Sequence, residues 1–562
     1  MTISAFPPGL ALILGAFLLP FFSGTWRRAL ILGLPLLTLW LIWQVGDGEA
    51  LTLSFLDQEI VPVKGDALSR LFATIFSIMA FAGGLFGMNN KRPLEMSAAF
   101  AYAGAAIGVT FSGDLITLFV FWEIMALGST MVIWSASTEA SYKCSMRYLM
   151  VHLLGGVLLM AGILAHLLET GSIAFTQMTP GSIGTWLILI GFLINAGAPP
   201  LSAWLPDAYP EASFSGTVFL SAFTTKTAVY VLIRGYPGAE ILVYLGVFMI
   251  FYGIIYALLE NDMRRILAYS IINQVGFMVT GIGIGTEMAL NGAAAHAFTH
   301  IIYKALLLMS AGSVLYMTER RKCTDLGGLF QSMPFTAFCG IIGALAISSF
   351  PLTSGFISKS MIAQSAGDEH LFFVWMALAA ASAGVFLHAG IKFPWFVFFQ
   401  KDSGLRPPEP PMNMRLAMGL LAFLCIALGV YPAPLYAILP FPVDYRPYTA
   451  PHVLNMLQLL LFSGLAFFIA LPLMKRTLTI SLDVDWFYRR AGTRIVLWCA
   501  EATSRGIELV LGRSVSAMRT ARNLMIYHMG PWGVLGRTPA MGSAALAIIS
   551  VLGLFLLAFY VS

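Results

Sequence analysis

Charge is what this sequence has least of. Asp, Glu, Lys and Arg make up only 10% of its 562 residues, where a soluble domain carries about 25%. A soluble fold could not bury a chain that is 58% hydrophobic and still keep a wettable shell. Cysteine is scarce as well. Cys144, Cys323, Cys339, Cys425 and Cys499 are scattered, odd in number and never spaced as CxxC, which argues against a disulfide framework, a zinc site or an iron–sulfur cluster held by this chain alone. There is no Walker A motif. Gly281, Gly283 and Gly285 end an apolar run with no strand before them, so they are no dinucleotide fingerprint. The reading is of a chain with no cofactor and no metal of its own, driven by an ion gradient or by a partner.

What fills the sequence instead is apolar runs of about 20 residues, each long enough to cross roughly 30 Å of hydrocarbon. About sixteen can be marked. Their limits fall near 7–23, 29–46, 67–88, 95–113, 114–136, 145–167, 182–203, 214–235, 239–259, 264–285, 289–316, 333–356, 371–399, 412–434, 451–473 and 541–561. The expected fold is an all-α polytopic membrane protein of about 14–16 transmembrane helices. No basic stretch precedes the first run, so it reads as a retained span and not as a cleaved signal.

Basic residues cluster in alternate loops: Arg27 and Arg28, Lys91 and Arg92, Lys143 and Arg147, Arg264 and Arg265, Arg320 to Lys322, Lys401 and Arg406, Lys475 and Arg476. The intervening loops carry Asp47, Glu49, Asp57, Glu59, Glu169 and Glu287. The excess of Lys and Arg marks the cytoplasmic side, which places the N-terminus outside. Residues 484–530 interleave seven arginines, from Arg489 to Arg522, with Trp486, Ile495, Leu509 and Met518. That stretch is too polar to span and fits an amphipathic cytoplasmic helix of roughly 70 Å.

Two runs contain breakers, Gly197-Ala198-Pro199-Pro200-Leu201-Ser202 and Phe350-Pro351-Leu352-Thr353-Ser354-Gly355. Proline removes a backbone donor and clashes with the preceding turn. A broken helix at membrane depth is tolerated only inside protein or beside a watery cavity. Two such helices with Pro-Leu-Ser and Pro-Leu-Thr at their breaks point to an internal repeat and a transport site.

An ionisable group inside a span is a functional candidate by default. Glu123 sits in the middle of its run, and Lys226 lies too deep in its own to snorkel. His296, His300 and Lys304 follow one another at i, i+4 and i+8, on one helical stripe, with neighbours about 6 Å apart. Histidine titrates near neutrality, so a proton relay accounts for this spacing better than a metal site, which has no third ligand here. Lys359 follows the second breaker and would end a half-channel near the outer face. His388 and Lys392 form another i, i+4 pair, with Lys392 near enough to a cytoplasmic end to snorkel. His152 stands alone and reads as a core histidine. A charge pair between Glu123 and Lys226, bridged by Asn195 or water, is expected because a carboxylate in a low-dielectric span needs a nearby cation.

The stretches Phe121-Trp122-Glu123, Trp204-Leu205-Pro206-Asp207-Ala208, Asn261-Asp262-Met263-Arg264-Arg265-Ile266-Leu267-Ala268-Tyr269-Ser270, His296 to Lys304 and Gly355 to Lys359 resemble the antiporter-like family. That family comprises the D and A subunits of Mrp-type sodium/proton antiporters and the proton-pumping subunits of respiratory complex I, and the Mrp D subunit looks closest. The resemblance spans residues 95–400. It implies two inverted-repeat bundles with broken helices. It also implies that the amphipathic stretch is a lateral-type helix, and that Glu123, Lys226, His296, His300, Lys304 and Lys359 form an ion pathway, to which Lys392 is added from its own pairing with His388. In one respect the chain departs from the family. Its usual lysine, nine residues before the tryptophan of Trp-Leu-Pro-Asp-Ala, is replaced by Asn195, and an expected histidine by Ser202.

The implied organisation is N-terminal helices (1–113), a first half (114–259), a second half (260–400), C-terminal helices (401–473), the lateral-type segment (474–540) and a last span (541–562). The resulting function is a subunit of a multi-subunit cation/proton antiporter, a translocase without its own redox centre. It would work among other membrane subunits and lipid in a bacterial inner membrane, with protons or sodium as the ion. Two alternatives remain open at this point: a proton-pumping subunit of a complex I-like or hydrogenase-type redox complex, and a non-transporting scaffold.

Overall fold

The structure, a computed structural model, describes residues 5–55, 58–90, 92–472, 483–484, 486–530, 532–533, 536 and 540–561. Asp57, Lys91, Lys475 and Arg476, four of the loop charges used above, lie outside the described residues. The chain forms two compact units, Met1–Val484 and Asp485–Ser562.

The first unit opens with α1 (Pro8–Leu18) and α2 (Gly24–Ile42), continues through a two-stranded antiparallel hairpin, β1 (Gly48–Phe55) and β2 (Gln58–Gly65), and proceeds to α3 (Ala67–Phe86) and α4 (Pro93–Phe111). Gly9 and Gly104 let the backbones of α1 and α4 touch, since a Cβ at either would collide with the carbonyl of the other. The hairpin falls where only an acidic loop was expected. Its sequence signal is the alternation of buried Val61 and Val63 around Pro62, too short to read beside the long apolar runs.

Next come α5 (Leu115–Trp134), α6 (Glu139–Thr170), α7 (Ile183–Ala196), the short α8 (Trp204–Ala208), α9 (Gly216–Ala222), α10 (Thr224–Gly235) and α11 (Ile241–Leu259). They are followed by α12 (Met263–Ile284), α13 (Glu287–Thr318), α14 (Pro334–Ile347), α15 (Ser354–Asp368), α16 (Phe372–Val385), α17 (Met412–Val430), α18 (Ala433–Tyr436) and α19 (Ala450–Ala470). Beyond Val385, α16 runs on through two π-helical stretches, Phe386–Lys392 and Trp395–Phe399. Thirteen helices of the described chain are long and apolar enough to cross a membrane, and three shorter apolar ones accompany them. Every apolar run marked in the sequence falls on one of these helices. The chain is a multi-pass α-helical membrane protein.

The two breakers act as expected. Gly197 closes α7 in the left-handed region at φ +76°, where glycine pays no Cβ penalty. The second break, Ser348 to Thr353, separates α14 from α15. A third break carries no proline: α9 and α10 are separated at Phe223, with φ −102° and ψ −69°.

One displacement along the chain relates the first half to the second. Asp114 and Asp262 cap α5 and α12, and each makes an isolated antiparallel bridge, to Ala174 and Lys322. Thr138 and Thr286 cap α6 and α13, which are both 32 residues long and both close in the left-handed region, at Gly171 and Glu319. Five crossings, α5, α6, α7–α8, α9–α10 and α11, separate the starts of α5 and α12. An odd number of crossings puts these starts on opposite faces, so the repeat is inverted.

Charges at one end hold the halves together. Asp207 takes a two-point contact from Arg147 at 2.7 and 2.9 Å. Arg321 reaches both Glu211 and Asp262 at 2.9 Å. Arg264 donates to the carbonyls of Pro210, Ala212 and Ser213 at 2.7–2.9 Å. The motifs around Asp207 and Asp262 are therefore latches at a membrane face. Just before the second unit, buried Asp483 accepts from Tyr252 of α11 at 2.5 Å and Tyr269 of α12 at 2.7 Å.

The second unit contains α20 (Thr493–Met529, 37 residues) and the apolar α21 (Met541–Val561). The expected amphipathic segment of 484–530 is thus helical from Phe487 onward, π-helical to Gly492 and α-helical over Thr493–Met529, the α-helical part alone being about 55 Å long at 1.5 Å per residue.

Asp114 joins β2 to α5. Its carboxylate accepts from Val61 N at 2.7 Å, Thr117 N at 2.7 Å and Thr117 Oγ1 at 2.6 Å. Asp114→Ala should lower stability by about 1–2 kcal/mol, the scale of a lost helix cap, read as a drop in the unfolding temperature of the detergent-solubilised protein.

Candidate functional site

The buried lysines are held in one way. Lys226, in the first turn of α10, donates to Ser221 O at 2.6 Å and Thr225 Oγ1 at 3.0 Å. Ser221 lies in the last turn of α9, whose carbonyls the break at Phe223 leaves without helical partners. Lys359 donates to Ile347 O, the last carbonyl of α14, at 2.6 Å. Lys392 donates to Ala257 O at 3.1 Å and to Leu258 O and Glu260 O at 2.6 Å, at the C-terminal end of α11. A helix C-terminus concentrates partial negative charge and favours a cation. Lys304 differs, bonding Ser270 Oγ of α12 at 2.9 Å and Leu267 O at 3.4 Å. Among the described residues none of the four makes an ion pair with a carboxylate side chain.

One expectation is corrected by this geometry. Lys392 does not snorkel: it lies in a π-helical stretch, bonds the end of α11 and is only 7% exposed. Lys359 lies on α15, which packs against α13, and its chain neighbour Ser358 touches His296.

The stripe on α13 is as spaced, with the rings of His296 and His300 6.1 Å apart. Both are fully buried. Around them lie groups that sequence reading missed. His296 Nδ1 lies 3.0 Å from Ser358 Oγ and Nε2 3.1 Å from Gln274 Oε1. Tyr303 OH donates to the same Gln274 oxygen at 3.1 Å, and Thr299 Oγ1 lies 3.0 Å from Ser358 Oγ. Neither nitrogen of His300 has a protein partner, while Tyr303 packs edge-on against its ring at 5.2 Å. The available signal was the pair Ser270 and Gln274, one turn apart in an otherwise apolar run. His388, beyond this cluster, bonds only its own helix, Nδ1 to Gly384 O at 2.9 Å.

In the first half no direct contact between Glu123 and Lys226 is present among the described residues. Lys226 is occupied by Ser221 and Thr225, and Glu123 Oε1 has no protein partner. The carboxylate rests instead against α6, where a Cβ at Gly156 would collide with Oε1. Asn195 does not bridge the two either, because its Oδ1 lies 2.8 Å from His152 Nδ1. The break at Phe223, invisible to a reading based on proline, supplies Lys226 with a carbonyl acceptor. Ser202, at the place of the expected histidine, is buried with no partner for its hydroxyl.

Glu123→Gln and Lys226→Met should therefore act independently. A double-mutant cycle on stability should give a coupling below about 0.5 kcal/mol, the scatter found for groups without shared partners.

This arrangement has known counterparts. The family model described as NADH:quinone oxidoreductase/Mrp antiporter, transmembrane, matches residues 112–384. The chain is 27% identical to the D subunit of the Na(+)/H(+) antiporter of Alkalihalophilus pseudofirmus over 399 residues, covering 66% of this chain and 81% of that protein. It is 29% identical to the M subunit of the NADH-quinone oxidoreductase of Pseudomonas aeruginosa over 370 residues, covering 60% and 71%. Among solved structures, a chain of the Mrp complex from Dietzia sp. superposes with a TM-score of 0.76 at 20% identity, over 92% of this chain and 62% of that one. Broken helices, buried lysines and histidines and these similarities agree: residues 112–384 are similar to the NADH:quinone oxidoreductase/Mrp antiporter transmembrane family.

Proposed function

We propose that this chain is a proton-translocating subunit of a multi-subunit cation/proton antiporter in a bacterial inner membrane. The observation that carries the reading is a set of four buried ammonium groups, Lys226, Lys304, Lys359 and Lys392, held by carbonyls and hydroxyls and by no carboxylate. An ammonium without a counterion in low dielectric sheds its charge by releasing a proton. Each of these lysines is thus a reversible carrier. His296 and His300 stand between Lys304 and Lys359 and pass the proton on through Ser358, Gln274 and Tyr303. Glu123 is the carboxyl group of the first half. The residues Glu123, Lys226, His296, His300, Lys304, Lys359 and Lys392 make up the pathway, with the halves at 114–259 and 260–400.

A second reading, a pumping subunit of a redox complex, is favoured by the likeness to an NADH-quinone oxidoreductase component. The two differ in the partner that drives the chain, not in the relay. Co-purification of the native assembly separates them: antiporter subunits support the first, redox subunits the second.

The relay is tested by His300→Ala in the whole assembly, reconstituted in proteoliposomes. Proton flux should fall by about a hundredfold or more, the lower range for loss of a proton-transfer group, while assembly survives. Normal flux at normal protein level would reduce the stripe to packing.

The alternation of basic loops assigns the C-terminal ends of α6 and α13 to opposite sides, with Glu169 outside and Arg320 cytoplasmic. In a chain with Cys499→Ser, Glu169→Cys should react with an impermeant thiol reagent in intact cells. Arg320→Cys should react only after the cells are opened.

A further inference from the structure

The repeat places an unassigned histidine in the first half. His152 follows the cap Thr138 at the spacing with which His300 follows the cap Thr286. By the same displacement Tyr148 stands for His296, and Gly156 stands for Lys304. The polar stripe of α6 is therefore the inverted copy of the relay stripe on α13, with one member reduced to glycine. The space opened at Gly156 is taken by the Glu123 carboxylate, whose Oε1 lies where a Cβ would be.

Three buried atoms around this stripe lack protein partners: Glu123 Oε1, His152 Nε2 and Asn195 Nδ2. Buried polar atoms are nearly always hydrogen-bonded, and adjacent orphans at a polar site are the setting for a bridging water. The groups that face His152 are Tyr148 on its own helix, Asn195 and Trp204 from the broken span, and Glu123, one turn along the same face of α6. Tyr148 and Trp204 pack on the imidazole at 4.0 and 4.6 Å between centroids. Asn195 Oδ1 accepts from His152 Nδ1 at 2.8 Å, and an amide oxygen only accepts. The ring proton is thus on Nδ1, and Nε2 presents its lone pair.

We infer that His152 is the proton-accepting group of the first half and that its Nε2 exchanges protons with the Glu123 carboxyl group through water. The inference rests on the translocation reading above. In the forward step an O–H bond of the carboxyl breaks and an N–H bond forms at Nε2, leaving carboxylate and imidazolium. In the return step the N–H bond at Nε2 breaks and an O–H bond re-forms on the Glu123 carboxylate. No electrons are exchanged. From the ring, hydroxyls continue toward Lys226: Tyr148 OH lies 3.4 Å from Thr224 Oγ1, whose neighbour Thr225 accepts from Lys226 at 3.0 Å. Asn195 is the positioning residue that fixes the tautomer.

The test uses the whole assembly with His152→Gln, Gly156→Ala and the double variant His152→Gln/Asn195→Lys. His152→Gln should lose at least tenfold in proton flux with assembly intact, and Asn195→Lys in the same chain should restore most of it. Gly156→Ala, which displaces the Glu123 carboxylate without touching the ring, should lower flux as well. Flux within twofold of the parent in His152→Gln, or no recovery with Asn195→Lys, would overturn the assignment. Nitrogen NMR of the histidine-labelled parent assembly gives a readout independent of flux and of variant folding. One imidazole signal should change protonation with pH at Nε2 while Nδ1 stays protonated, and it should be absent in Gln-substituted chains that assemble. Histidine signals that all stay neutral across the range would also overturn it. A parent assembly that moves no protons but shows the titrating signal would instead defeat the translocation reading alone.

Discussion

The contact on which the rest of the structure turns is a lysine ammonium seated on the free carbonyls of a helix end inside the membrane. Lys226 on Ser221, Lys359 on Ile347 and Lys392 on Ala257, Leu258 and Glu260 are three instances of it. A full counterion would fix such a charge in place, because separating a buried pair leaves two uncompensated charges. Carbonyl dipoles do less. They stabilise the ammonium enough to keep it folded in and weakly enough that losing the proton leaves only polar, uncharged groups behind. Broken helices are what make those carbonyls available at membrane depth.

The inverted repeat gives the same scaffold twice and fills it differently. On α13 the stripe is His296, His300, Lys304; on α6 it is Tyr148, His152, Gly156. The second half surrounds its stripe with bonded acceptors, Ser358, Gln274 and Ser270. The first half leaves Glu123, His152 and Asn195 each with an unpartnered atom. The second stripe is hydrogen-bonded at its two ends, His296 and Lys304, and open at His300, whereas the first leaves His152 half-bonded beside the orphaned atoms of Glu123 and Asn195. That difference follows from two positions, Gly156 in place of a long cation and Asn195 in place of a lysine.

Charge at the membrane face has another purpose. Arg147 with Asp207, and Arg321 with Glu211 and Asp262, are true ion pairs, and Arg264 closes on three carbonyls of the segment between α8 and α9. Arg147 fastens Asp207 within the first half, while Arg264 and Arg321 bind the segment after the first broken span to the start of α12 and to the connection after α13. The molecule thus separates two places of charge. Ion pairs lie at the face, and lysines without carboxylate partners lie within.

The sequence by itself determined the class of fold and most of the chemistry. Twenty-residue apolar runs, two proline breakers and the i, i+4, i+8 spacing of His296, His300 and Lys304 are local patterns, and hydrocarbon thickness and helix pitch translate them directly into spans and a stripe. The tertiary structure alone decided what each buried charge faces. No local pattern marks the break at Phe223, the packing of α15 that brings Ser358 to His296, the seating of Lys392 on the end of α11, or the meeting of Glu123 with Gly156 instead of Lys226. Each of these depends on which helices pack together, and in a membrane that is set by small residues and backbone shape across the bundle, which sequence spacing within one helix does not contain.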